Sequence, residues 1–183
     1  MTRARSRLAV AHAGLRQSDL DILLVVDTTI PDGALRVVED DTYHVLSAEP
    51  GFQPVVDHPI RVLTAAWSAE PTPPGSVIIR QHPSPELLAV VYDLGASPPT
   101  CAEWVLRCLM GILETAAARQ TDELVLPVLG RRFRVLTEED FGRLLADAVA
   151  RQPPRHLRRI VVPGERSLAD GIKLGVDSVA NRA

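Results

Sequence analysis

The second half of the chain repeats one local pattern, strand then loop then helix. Residues 87–119 and 123–151 each read as such a unit, and residues 157–163 read as a further strand. A helix between two strands of one sheet returns the chain to its starting edge, so strands joined this way run parallel. Parallel sheets are covered on both faces, and their strands read as unbroken aliphatic runs. The strands expected at 87–94 and 124–129 have that character over residues 87–91 and 124–126. The same pattern says where to look for a ligand, because sites in such sheets form where strand ends meet helix starts. It names no reaction.

Composition agrees with a sheet covered by helices. The chain has 183 residues, enough for one domain with a core, and is 46% hydrophobic but only 4% aromatic. Val, Leu, Ile and Ala must therefore fill the interior. A net charge of −3 argues against a general nucleic-acid coat. Cys101 and Cys108 are seven residues apart in an expected helix, which reads as two reduced core thiols rather than a disulfide. Arg3, Arg5 and Arg7 give the start the charge of a signal peptide without its long apolar stretch. No run reaches the roughly 20 apolar residues of a membrane span. A cytoplasmic protein without a membrane partner is expected.

Three segments follow from a pass along the chain. Residues 1–17 read as a loose basic arm, 18–164 as one α/β domain, and 165–183 as a tail with weak helical spacing. Within the domain, residues 20–26 read as a strand buried on both faces. Residues 30–38 read as a short helix or loop, and 39–59 are broken by Pro50, Gly51, Pro54 and Pro59. Strands are expected at 60–67, 76–81 and 87–94. Thr100-x-x-Glu103 and Thr137-x-x-Asp140 both read as capping boxes opening helices. In the first helix Trp104, Val105, Cys108, Leu109, Ile112, Leu113 and Ala116 form an apolar stripe. Pro153-Pro154 ends the second. In the tail, Leu168, Ile172, Val176 and Val179 have helical spacing, softened by Gly171 and Gly175.

Three stretches carry a resemblance to a known family. They are Asp19-Leu20-Asp21-Ile22-Leu23-Leu24-Val25-Val26, then Pro74-Gly75-Ser76-Val77-Ile78, then Pro127-Val128-Leu129-Gly130 with Thr137-Glu138-Glu139 after it. In this order they resemble the macro-domain superfamily and its structural cousin, the N-terminal domain of leucine aminopeptidases. The resemblance implies a three-layer α/β/α fold with a mixed, mostly parallel sheet flanked by helices. It also implies an ADP-ribose-like, phosphorylated ligand at the strand C-terminal edge. Departures from the family weigh on activity. The asparagines that ADP-ribose-processing members carry after the first strand are replaced by Val25-Val26-Asp27-Thr28. Their glycine-rich catalytic loop is reduced to an isolated Gly33. Their second glycine-rich loop here runs Gly130-Arg131-Arg132-Phe133-Arg134-Val135. Arginine is bulky and prefers negative φ, so a tight amide cradle for pyrophosphate is not expected there.

The candidate ligand residues are Asp27, Thr28, Gly95, Ser97, Gly130, Arg131 and Arg132. Arg131 and Arg132 stand between a strand end and a helix start, where a guanidinium can hold phosphate in bidentate fashion. The competing account is a solvated basic loop paired with Glu138, Glu139 and Asp140. Asp27 could accept from a ribose hydroxyl or act as a general base, against a turn whose Asp and Thr satisfy local backbone. Gly95, Ser97 and Thr100 could approach a ligand, against a simple helix cap. Ser97 has no neighbouring His to activate it, so no catalytic residue is assigned. The five histidines lack ligand spacing, and neither a metal nor a cofactor is expected. Arg155, Arg158, Arg159 and Arg166 read as a solvated face, given the acidic run Glu39-Asp40-Asp41 and the lack of interleaved aromatics. Trp67 and Trp104 read as core.

Three functions are in contention. The first is a non-catalytic macro-like domain binding a nucleotide-type or other phosphorylated ligand. The second is a structural or oligomerising domain that has lost the ligand and meets a protein partner or its own copy. The third is a degenerate ADP-ribose ester hydrolase with Asp27 positioning water.

Overall fold

The computed structural model describes residues 8–12, 22–42, 71–81 and 85–180. In chain order these form β1 (Leu8–His12), β2 (Ile22–Asp27), β3 (Leu35–Asp41), β4 (Val77–Arg80), β5 (Glu86–Tyr92), α1 (Ala102–Ala118), β6 (Glu123–Val125), α2 (Glu138–Arg151), β7 (Arg159–Pro163) and α3 (Ser167–Ala180). One sheet joins all seven strands in the order β1-β2-β7-β6-β3-β5-β4. Every pairing is parallel except that of edge strand β4 with β5. The parallel strands expected from the tandem units, and the mixed, mostly parallel α/β sheet that the resemblance implies, are both present.

Packing explains the aliphatic runs. Leu87, Leu88, Ala89, Val90 and Val91 of β5 are all fully buried. Because neighbours on a strand point to opposite faces, both faces of the sheet are covered at this point. Helix α1 lies over β5 and β4, α2 packs against α1, and α3 packs against α2 and over β1 and β2. The tail is therefore part of the core, with Ala169, Ile172 and Val176 buried. Gly175, which weakens an isolated helix, allows this contact: a Cβ there would sit 2.0 Å from the Glu139 carbonyl oxygen of α2. No helix among the described residues is long and apolar enough to cross a membrane.

Several local expectations are corrected. Residues 30–38 are not a helix; Pro31 to Gly33 turn, and β3 starts at Leu35. Its sequence alternates, with Leu35 and Val37 buried and Arg36 and Val38 exposed, which is the period of a strand covered more heavily on one face. The stretch read as a loose arm supplies β1, which extends the sheet by pairing with β2. The Thr100 capping box does not form. Cys101 is the N-cap with no side-chain cap bond, and Glu103 pairs instead with Arg107 one turn on. Thr100 is buried, and its hydroxyl has no hydrogen-bond partner among the described residues. Cys101 consequently lies at the helix boundary, and only Cys108 is a buried thiol. Burial holds the Cys108 thiol at a raised pKa of about 12. Trp104 is only half-buried. The strand expected at 60–67, with Trp67, lies outside the described residues.

Candidate functional site

Parallel pairing brings the C-terminal ends of β2, β7, β6, β3 and β5 to one edge of the sheet. Glu39 is the fifth residue of β3 and continues the side of the strand that carries Leu35 and Val37. Tyr92 ends β5 and is 1% exposed. Between β6 and α2 the chain forms a loop whose first part, Leu126, Val128 and Leu129, is buried. The loop then turns at Gly130, which has φ +81°. A side chain at that position would also meet Leu136 Cδ1 at 2.8 Å, so glycine is required on both counts.

These elements close on one carboxylate. Glu39 Oε1 accepts from the Gly130 N–H at 2.6 Å and from the Tyr92 hydroxyl at 2.7 Å. The Tyr92 oxygen in turn accepts from the Arg132 N–H at 3.1 Å. The Tyr92 ring meets the Phe133 ring edge-on at 5.2 Å, and the Arg132 guanidinium stands 5.4 Å from the Phe133 centroid. Burial raises the Glu39 pKa above the ordinary carboxylate range, against the opposing pull of Tyr92, Gly130 and Arg132. Burial, followed by the bond to Glu39, pushes the Tyr92 hydroxyl up as well. The tyrosine therefore acts as a fixed donor.

Beside this network lies a hollow of about 410 Å³, lined by Glu39, Pro127, Val128, Arg131, Arg132, Pro163 and Leu168. Its size falls in the range of roughly 300–1,000 Å³ common to small-molecule sites. Arg131 is half-exposed and pairs with Glu138 at 3.1 Å. The start of α2 is closed by its own residues: Thr137 Oγ1 accepts from the Asp140 N–H, and Asp140 accepts from the Thr137 N–H. Glu138, Glu139 and Asp140 fill its first turn. The helix dipole is thus already matched by carboxylates, and the cationic groups at the hollow are the Arg131 and Arg132 side chains.

The same architecture occurs in solved proteins. A macrodomain of Oceanobacillus iheyensis with ADP superposes with a TM-score of 0.58 at 14% identity, over 87% of this chain and 92% of that one. The same protein with MES bound gives the same TM-score of 0.58. A Trypanosoma brucei macrodomain in complex with ADP gives 0.52 at 11% identity, over 93% of this chain and 69% of that one. This chain has a macrodomain fold. No family model and no curated protein matches its sequence.

Within this macrodomain edge the candidate residues separate. Arg131 and Arg132 line the hollow, and Gly130 does not but donates its N–H to Glu39, which does. Asp27 ends β2 next to Pro163, with its carboxylate accepting from the Thr29 N–H at 2.9 Å and its carbonyl from the Gly164 N–H at 3.0 Å. Thr28 is exposed. Gly95 and Ser97 are exposed in the turn after β5, where the Gly95 N–H donates to Asp93 at 2.9 Å. None of these four lines the hollow.

Two residues at the centre of the site, Glu39 and Tyr92, are not among the candidates read from the sequence, where Glu39 figures only as part of an acidic run. Glu39 is concealed in an acidic run, and its place is visible only once residues 35–41 are taken as a strand, which aligns Leu35, Val37 and Glu39. Tyr92 carries a simpler signal. It is the one aromatic among residues 87–94 and follows directly on the aliphatic run 87–91.

Proposed function

We propose that the protein is a non-catalytic binding module that holds a nucleotide-type phosphorylated ligand, of the ADP-ribose class, in the hollow at the C-terminal edge of its sheet. The observation that carries this reading is the position of the hollow: a macrodomain strand edge, with Arg131 and Arg132 on its wall and Pro127, Val128, Pro163 and Leu168 offering apolar surface. Two guanidinium groups match a phosphate or diphosphate, and the apolar wall suits a sugar or base. Solved proteins of this fold have been obtained with ADP and, in a mutant, with ADPR. The non-catalytic reading is supported by the place of Asp27, whose Oδ1 is engaged by the Thr29 N–H and which does not line the hollow.

The second reading, a structural domain without a ligand, is favoured by one specific contact. Glu39 occupies the Gly130 N–H, a group that would otherwise be available to an anion. A thermal-shift series with ADP-ribose, ATP, NAD and inorganic phosphate separates the two readings. Ligand at a hundred times its Kd stabilises the folded state by about 2.7 kcal/mol. Stabilisation by ADP-ribose is expected, and it should vanish in the double variant Arg131→Ala, Arg132→Ala. That variant should keep the ligand-free midpoint nearly unchanged, since half-exposed ion pairs contribute only about 0–1 kcal/mol. No shift with any ligand would leave the structural reading. A double variant that unfolds readily would make the arginines structural.

A further inference from the structure

We propose that Glu39 is a specificity-determining residue that fills the amide seat of the loop after β6 with its own carboxylate and turns free phosphoanions away from the backbone. The inference rests on reading the hollow as a ligand site. It adds which part of a ligand can go where.

The geometry at the seat is that of a bound anion. Gly130, turned by its positive φ, presents its N–H to Glu39 Oε1 at 2.6 Å, and the Tyr92 hydroxyl reaches the same oxygen at 2.7 Å. Tyr92 is itself held by the Arg132 N–H, so one amide of the loop is committed to the carboxylate directly and a second to the tyrosine that bonds it. Glu39 also lines the hollow, and among the described residues no hydrogen bond reaches its Oε2. A phosphate brought to the Gly130 amide would have to displace the carboxylate or lie against it. Like charges at contact in a partly desolvated site repel strongly. The ligand anion is therefore left to the Arg131 and Arg132 side chains, while Glu39 faces a group that can donate, such as a sugar hydroxyl. The seat accepts donors and refuses dianions.

The test is isothermal titration of inorganic pyrophosphate and of ADP-ribose into the wild-type protein, Glu39→Gln, Glu39→Ser and Tyr92→Phe. Glutamine keeps an oxygen for Gly130 and Tyr92 but removes the charge. Serine, small and neutral, serves if the glutamine variant does not fold. Tyr92→Phe loosens the network and leaves the charge in place. Neutralising Glu39 should raise pyrophosphate affinity by about tenfold or more, and Tyr92→Phe should give no such gain. If wild type binds ADP-ribose but neither Glu39 variant gains pyrophosphate affinity, the inference fails and the binding function stands. If wild type ignores ADP-ribose yet the variants gain pyrophosphate, the function fails and the seat stands. Equal gain in Tyr92→Phe, or no binding by any form, overturns the inference.

Discussion

The loop between β6 and α2 is held at both ends by a carboxylate that accepts from backbone N–H, and the two carboxylates could hardly differ more. At the far end Asp140 accepts from Thr137 three residues away, exposed to solvent. At the near end Glu39 accepts from Gly130 across 91 residues of sequence, mostly out of water. The hydrogen bond is similar in kind, yet the pKa directions are opposite. Asp140 is lowered, chiefly by its bond from the Thr137 amide, whereas Glu39 is raised because burial outweighs its bonds. A local cap secures a helix and can be made anywhere. The Glu39 contact exists only if the sheet is assembled, so it ties the loop to the fold.

Breaking the contact at each end should therefore expose unequal dependence. Glu39→Ala leaves the Gly130 N–H and the Tyr92 hydroxyl without their acceptor, and such orphaned groups cost about 1–3 kcal/mol apiece where water cannot reach them. With the hollow adjacent, a loss of about 2 kcal/mol is expected, read as a fall of about 4–8 °C in the midpoint of circular-dichroism melting. At the other end, Thr137→Ala removes the hydroxyl that accepts from the Asp140 N–H and donates to Asp140 Oδ2, both exposed, and should cost about 1 kcal/mol. A Glu39 variant that melts no lower than the Thr137 variant would break the contrast and reduce Glu39 to a surface acid.

The same contrast explains what could be read from the chain. Thr137-x-x-Asp140 is legible because every atom it uses lies within four residues. The near-identical Thr100-x-x-Glu103 fails because tertiary packing sets that helix start one residue later, at Cys101, and buries Thr100. The parallel sheet was legible from aliphatic runs and their spacing, and Arg131 and Arg132 from the strand-to-helix position. Asp27 was placed correctly at a strand end, but its turn satisfies itself locally. Glu39 depended on recognising β3, a strand whose alternation is interrupted by charge and whose partners, β5 and β6, come much later in sequence. Non-local hydrogen bonds leave no local period. The strand C-terminal edge could be located; the side chain that occupies it could not.

Acidity gives the smallest and most discriminating prediction, because the two carboxylates must respond with opposite signs. Asp140 is held below its ordinary value of 3.8, so the unfolded chain takes up its proton first as pH falls. Its contribution is present above about pH 3.8 and is lost as pH drops through the folded value. Glu39 is held above its ordinary value of 4.5, so the native state keeps that proton while the unfolded chain has released it. Stability linked to Glu39 is therefore full below pH 4.5 and declines as pH rises through the folded value. Urea midpoints measured from about pH 3 to about pH 8 for wild type, Glu39→Gln and Asp140→Asn should separate the two. Relative to wild type, Glu39→Gln should gain stability on going from acid to neutral pH, and Asp140→Asn should lose it. Parallel curves for wild type and Glu39→Gln would mean that burial does not oppose the Glu39 charge. The contrast between the two ends of the loop would then be one of sequence distance alone.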